Sequence, residues 1–251
     1  MSKMNKINIY KNSYDGSKDL AKILIKQINS IILKKGYCTI GLPTGNSPVK
    51  LYEELVNSYK NNLIQFKNVI LFNLDEFYPI RKDSKECYRN YLYDHLLDHV
   101  DFTDKNLYFL DSEIKEEELA NYCDSFEKKI IEVGGLDIQV LGIGINGHIG
   151  FNEPGSKIES KTRKVKISNE SYKTISKDFK EINNIPREAL TLGIETILSS
   201  YKVYLMAWGN NKSSIIKKAI KGKITSLCPA SYLKTHNDVT YFLDEMSSSK
   251  L

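Results

Sequence analysis

A chain of 251 residues suits one α/β domain with a large sheet, and 41% hydrophobic with 27% charged residues is an ordinary globular balance. Lys plus Arg number 36 and Asp plus Glu 31, a net charge of +5. The charges are interspersed, which excludes a basic arm or stripe of the kind that holds nucleic acid, although a mild positive balance helps an anionic metabolite reach its site.

The elements alternate along the chain. Lys6–Tyr10 reads as a short strand, and Asp19–Leu33 as a helix from apolar residues at helical spacing (Leu20, Ile23, Leu24, Ile28, Ile31, Ile32). Cys38–Leu42 reads as a buried strand, followed by a turn at Pro43–Pro48 and a helix from about Ser47 to Tyr59. Asn68–Leu74 is a strongly apolar strand. Helices are expected at Lys85–Leu97 and Glu116–Glu132, and a buried strand at Asp137–Gly142. Arg187–Leu198 reads as helical, Val203–Trp208 as a strand, Lys212–Ile220 as a helix and Val239–Leu243 as a last strand. The pattern predicts a single α/β domain over residues 1–251, Rossmann-like, with a doubly wound, mostly parallel sheet and helices on both faces.

Such sheets bind ligands beyond the carboxyl ends of their strands. That rule selects Gly41–Pro48, Asp75–Phe77 and Gly142–Gly155, where the unusual chemistry of the sequence also falls. The first is a glycine-bearing turn before a helix, suited to an anion, although no Gly-Lys-Ser/Thr follows it as in a Walker loop. A plain turn with Ser47 as helix cap and Pro48 at the first helical position would use the same residues. In the second, an Asp at the rim of an apolar strand is partly desolvated, which suits a base. The plainer reading is that Asp75 and Glu76 cap the next loop.

The third segment satisfies G-x-G-x-x-G after a strand, but Pro154 follows too soon for the glycines to open a helix, so a dinucleotide site is rejected. Its small residues let the backbone approach a ligand, and His148 with Glu153 offers a base and a partner that sets its tautomer. His95 and His99, spaced like an inverted zinc motif with Asp98 between them, read as the end of an amphipathic helix. His236 lies in a polar loop and carries no signal. Cys38, Cys87, Cys123 and Cys228 stand apart, without C-x-x-C, and read as free thiols in a reducing compartment. Met1–Tyr10 has no apolar core of a leader and no run approaches the ~18 residues of a membrane span, so the expectation is a cytoplasmic protein.

Together "GLPTGNSP", "FNLDEF" and "GIGINGHIGFNEPG" resemble the glucosamine-6-phosphate deaminase (isomerase) family, with weaker matches at "ALTLGIETIL" and "PASYLKTH". The related 6-phosphogluconolactonases share the fold and the glycine-rich turn, but not the Phe-Asn-Glu-Pro continuation. The resemblance implies deamination of glucosamine 6-phosphate to fructose 6-phosphate and ammonia, without cofactor or metal. Galactosamine-6-phosphate deaminase and 6-phosphogluconolactonase stand as alternatives.

It implies Asp75 as proton carrier, and His148 with Glu153 in ring opening. Asn146 stands where some members have aspartate, which weakens a charged relay. It implies Thr44, Gly45, Asn46, Ser47, Gly144, Gly147, Lys212 and Lys177 as substrate-binding residues, Lys177 lying in a lid of about residues 166–186 where an arginine is usual. The implied partner is a small sugar phosphate, with neither nucleic acid nor membrane; monomer and homo-oligomer both stay open. For the effector site of allosteric members, Ser156 and Arg163 are present, but Val165 falls where lysine is expected, between Lys164 and Lys166. The last tyrosine is Tyr241. Activation by N-acetylglucosamine 6-phosphate is therefore not expected.

Overall fold

The computed structural model describes residues 4–177, 179 and 185–251. The strands are β1 (Met4–Tyr10), β2 (Cys38–Leu42), β3 (Val69–Asn73), β4 (Asp75–Tyr78), β5 (Leu107–Tyr108), β6 (Ile138–Leu141), β7 (Arg163–Lys166), β8 (Glu188–Thr191), β9 (Lys202–Ala207) and β10 (Asp238–Asp244). The helices are α1 (Ser13–Lys35), α2 (Val49–Lys60), α3 (Tyr88–His95), α4 (Leu119–Glu132), α5 (Asn169–Ile175), α6 (Ile194–Leu198), α7 (Ser213–Lys221) and α8 (Glu245–Ser248).

Seven strands form one sheet in the order β1-β10-β9-β6-β2-β3-β5, every pair parallel. A parallel sheet needs both faces covered, and the side chains of β9 show that it is. Val203, Leu205 and Ala207 pack into one apolar core with Phe126 and Ile130 of α4 and Ile216 of α7. Tyr204 and Met206 face the other core, with Leu20, Leu24 and Ile28 of α1 and Leu51 and Leu55 of α2. Each Val, Leu, Ile, Phe or Met side chain among them contributes about 1.5–3 kcal/mol when fully buried.

The helix ends are closed by sequence. Asn12 caps α1 by accepting from the Asp15 N–H at 2.9 Å, and Gly36, at φ 87°, turns the chain out at the other end. The chain runs outward from β2 to β3 and β5, then returns to β6 on the other side of β2. Two loops therefore part at the carboxyl ends of β2 and β6, the position where open α/β sheets form a crevice.

A second, antiparallel sheet, β4-β8-β7, was not foreseen. The chain enters it at Leu74, whose N–H donates to Leu42 O at 3.1 Å and whose carbonyl accepts from Leu192 N at 2.9 Å. Leu74 thus stitches the two sheets together, and Asp75 is the first residue beyond the stitch.

The expected helix Arg187–Leu198 is corrected here: it is strand β8 followed by the short helix α6. Ala189, Leu190, Leu192, Ile194 and Ile197 are all buried and mimic a helical stripe, but β8 is held between β4 and β7. Gly193 starts α6 at a point where any Cβ would lie 2.0 Å from Ser160 O. Ser47 does not cap α2; Pro48 occupies the cap position and no side chain bonds there. Lys85–Leu97 shortens to α3, with a 3₁₀ turn at Leu97–His99, and Glu116–Glu118 form a 3₁₀ turn ahead of α4. Among the described residues no helix is long and apolar enough to cross a membrane.

Candidate active site

A cavity of about 460 Å³ opens at the carboxyl ends of β2, β3 and β6. Thr44, Gly45, Asn46 and Ser47 form one wall, in the loop between β2 and α2. Three donors hold the carbonyls of that loop. Tyr52 OH donates to Pro43 O, Tyr91 OH to Gly45 O at 2.6 Å and Trp208 Nε1 to Ser47 O at 3.1 Å. Gly45 sits at φ 86°, a left-handed conformation that favours glycine. Among the described residues, no protein group accepts from the N–H of Thr44, Gly45, Asn46 or Ser47. A loop with its carbonyls tied back and its amides free is a nest for an anion. Lys212, at the start of α7, reaches the same cavity, its Nζ 2.6 Å from Ile143 O. Among the described residues no carboxylate pairs with it, and burial lowers its pKa.

Asp75 is 7% exposed, and its Oδ1 is buried without a hydrogen-bond partner. Burial, and then the neighbouring Glu76 charge, push its carboxyl up to about 8. Glu76, fully buried, is a different kind of carboxylate. It accepts from Tyr88 N and Arg89 N, each at 2.8 Å, at the start of α3, from Cys87 Sγ at 3.1 Å and from Phe77 N at 3.0 Å. The capping reading thus holds for Glu76 and fails for Asp75, which has been left free beside the cavity.

His148 lines the cavity, and its ring lies directly over Gly144, where a Cβ would come within 2.2 Å of the imidazole. Nδ1 is 3.1 Å from Ser171 Oγ and 3.5 Å from Glu153 Oε2. Asn146 Nδ2 donates to Glu153 Oε2 at 2.7 Å, while Asn146 Oδ1 accepts from His148 N at 3.2 Å. Burial alone would raise the Glu153 pKa, but His148 beside it, with Ser171 and Asn146 donating, holds it down at about 2. Glu153 is therefore a fixed anion behind the histidine.

The structure brings Asp75, His148, Lys212, Gly144 and the Thr44–Ser47 loop to one cavity. Asn146 and Glu153 stand behind His148, outside the lining. Gly147 is not in the lining either. At φ 92°, it packs where a Cβ would meet Cys228 Sγ at 2.8 Å, so it serves the turn. Lys177 is exposed after α5 and outside the lining. Of the expected lid, α5 supplies Ser171, Thr174 and Ile175 to the cavity; residues 178 and 180–184 lie outside the described residues.

Sequence reasoning missed Ser171, Tyr88 and Trp208. Only Ser168-x-x-Ser171, a cap signal with Ser168 Oγ accepting from Ser171 N at 3.1 Å, pointed toward one of them. The remaining histidines serve the scaffold: His99 Nε2 bonds Asp94 O at 2.9 Å, His95 packs on Tyr91, and His236 is buried between Ser200 O and Asp238 N. The loop after β6 opens no helix, in keeping with rejection of the dinucleotide motif.

A second cavity, of about 610 Å³, borders the turn after His148 and shares Phe151 with the first. Arg163, Lys166 and Ser156 line it together with the carboxylates of Glu153 and Glu159. Lys164 points elsewhere, onto Glu116 and Glu188 at 2.5 and 3.3 Å.

The chain matches a family model described as glucosamine-6-phosphate isomerases/6-phosphogluconolactonase over residues 12–242. It is 39% identical to a glucosamine-6-phosphate deaminase of Clostridium acetobutylicum over 240 residues, 96% of this chain and 98% of that one. A deaminase-like protein of Bacteroides thetaiotaomicron is also 39% identical over the whole chain, which spans only 38% of that longer relative. Among solved structures, a monomeric glucosamine-6-phosphate deaminase superposes with a TM-score of 0.92 at 32% identity, over 98% of this chain and 100% of that one. A Trypanosoma brucei 6-phosphogluconolactonase, 18% identical, shares the fold at a TM-score of 0.80, each chain covered in full.

Proposed function

This chain belongs to the glucosamine-6-phosphate isomerase/6-phosphogluconolactonase family, and on that premise we propose that it converts glucosamine 6-phosphate to fructose 6-phosphate and ammonia. The observation that carries the reading is Asp75, a buried carboxyl at the cavity with an unpartnered oxygen and a pKa pushed up to about 8. Lactone hydrolysis has no use for such a group. Moving a proton between two carbons does, because the carrier must both take and return it.

The 6-phosphate sits on the Thr44–Ser47 loop with Lys212, and its binding energy orients the sugar. His148 takes the proton of the anomeric hydroxyl and gives one to the ring oxygen, so the ring opens. Asp75, ionised, takes the C2 proton, forming an enolamine, and returns it at C1. Water then attacks the C2 imine and ammonia leaves. No step calls for a metal or a nicotinamide. We place the reaction in the cytoplasm, consistent with four buried cysteines that form no disulfide.

Ammonia release from glucosamine 6-phosphate and galactosamine 6-phosphate, alongside acid formation from 6-phosphogluconolactone, tests the reading. Ammonia from the gluco sugar at the highest kcat/KM is expected. Lactone hydrolysis without ammonia release would overturn the proposal, and a preference for the galacto sugar would correct its substrate.

A further inference from the structure

The imidazole of His148 has two nitrogens, and ring opening asks for one of them to reach substrate as a free base. The other must then hold a proton, and the neighbours of Nδ1 decide whether it does. Asn146 cannot. Its amide is spent, with Nδ2 on Glu153 and Oδ1 on the His148 backbone N–H. Only that orientation pairs a donor with the carboxylate and an acceptor with the N–H.

Two groups face Nδ1: the Glu153 carboxylate, with Oε2 at 3.5 Å, and a hydroxyl from a distant part of the chain. Ser171 Oγ, 3.1 Å away, is buried in the first turn of α5. Its valence can be counted. Ser168 Oγ donates to it at 3.1 Å, and the Glu153 carboxylate on the other side of Nδ1 can only accept. The Glu153 anion favours a proton on Nδ1, and Ser171 Oγ, with one lone pair on Ser168, offers its other lone pair to that proton. A lone pair there requires a proton on Nδ1.

We infer that Ser171 is a positioning residue that keeps the His148 proton on Nδ1, so that Nε2 is the base presented to the sugar. It acts through His148, in concert with the Glu153 carboxylate. Ser168 supports it twice, because its N–H lies 3.3 Å from Glu153 Oε1 while its hydroxyl lies 3.4 Å from Asn146 Nδ2. The start of α5 is thereby keyed to the histidine. Helix α5 also carries Thr174 and Ile175 to the cavity, so the segment that covers the site sets the protonation pattern of its base. In a chain with neutral Asn146, the serine supplies the contact on Nδ1 that the asparagine does not.

This inference rests on the proposed role of His148 in ring opening, but its test does not need substrate. The protein has four histidines, so ¹⁵N-histidine spectra are tractable, and His148→Gln identifies the His148 signals by their loss. The wild type is expected to hold the neutral His148 ring with its proton on Nδ1. Ser171→Ala is expected to shift the population toward Nε2–H and to lower kcat about 10- to 100-fold, with KM within about twofold. Ser171→Thr, which keeps the hydroxyl, is expected to restore both.

A wild-type ring protonated on Nε2 would overturn the inference even if the alanine variant failed to fold. So would an unchanged tautomer in Ser171→Ala, or a threonine variant that behaves like alanine. A wild type with the Nδ1 proton in place but no ammonia release would instead sink the proposed reaction and leave the proton assignment standing.

Discussion

The two cavities that meet at Phe151 treat their polar groups in opposite ways. In the cavity beyond β2 and β6, among the described residues, the Thr44–Ser47 amides have no acceptor, Lys212 has a carbonyl but no carboxylate, and Asp75 Oδ1 has no partner. In the second cavity Arg163 is already engaged. Arg163 donates to Asn152 Oδ1 at 2.9 Å, Ser156 Oγ at 3.2 Å and Lys161 O at 3.3 Å, while Glu153 and Glu159 add negative charge to the lining. Buried polar groups are normally satisfied by the protein, so a cluster left unsatisfied marks where a ligand completes the structure. An arginine spent on the fold has to be released before it can bind a ligand.

The largest effect that would break this contrast is at Asp75. Asp75→Asn is expected to lower kcat by 10³-fold or more, roughly the upper range for a single acid–base group, while KM for glucosamine 6-phosphate moves by less than about threefold. Steady-state ammonia release checks it. The same variant has a stability signature. The Asp75 pKa is about 8 in the fold against an ordinary value of 3.8, so the folded state holds the proton more tightly than the unfolded state. Stability is therefore lost as pH rises from about 4 toward 8, and levels off above it. Asp75→Asn should exceed the wild type in Tm by a margin that grows from pH 5 to pH 8 and then stays flat. A margin independent of pH would contradict the buried, proton-holding carboxyl.

Next in size are His148 and Glu153. His148→Gln and Glu153→Gln are each expected to cost about 10²-fold in kcat, and the double variant no more than a few-fold beyond the worse single. Independent, multiplying losses would mean that the two do not act as one unit. Lys212→Ala is expected to raise KM about 10- to 100-fold with kcat within threefold, the size of one charge-assisted hydrogen bond of roughly 1.5–3 kcal/mol. An unchanged KM would remove the phosphate from this wall of the cavity.

The smallest effect sharpens the contrast from the other side. N-acetylglucosamine 6-phosphate is expected to change half-saturation by less than about twofold, because Lys164 is held by Glu116 and Glu188 and Arg163 by the chain itself. Typical allosteric coupling is only about 1–3 kcal/mol, and losing one cation contact removes a comparable amount. A sigmoidal curve made hyperbolic by this ligand would show that the second cavity is a working site.

How far the sequence alone reaches follows the same division. The large sheet was readable because its strands are apolar runs bounded by turns, and Cys38–Leu42 coincides with β2. The cavity walls contributed by short chain segments, from Gly41 to Pro48 and from Gly142 to Glu153, were readable as candidates because their chemistry is contiguous. The small sheet was not. Arg163–Lys166 is three cations and a single valine, and Glu188–Thr191 runs into α6 with a helix-like apolar spacing. Ser171 and Trp208 reach the cavity from separate segments, so nothing in their local sequence marks them as its neighbours. Asp75 and Glu76 differ in role only through tertiary contacts. The N–H groups of Tyr88 and Arg89 take up one carboxylate and leave the other.

The central claim is that Asp75 carries one proton from C2 to C1. Glucosamine 6-phosphate labelled with deuterium at C2 tests it most directly, with ammonia, C1 label and solvent exchange followed together in wild type and in Asp75→Asn. The account predicts that the wild type releases ammonia with deuterium partitioned between C1 of the product and solvent, while Asp75→Asn binds the sugar and does neither. Turnover near the wild-type rate in Asp75→Asn, or ammonia release with deuterium retained at C2, would contradict it.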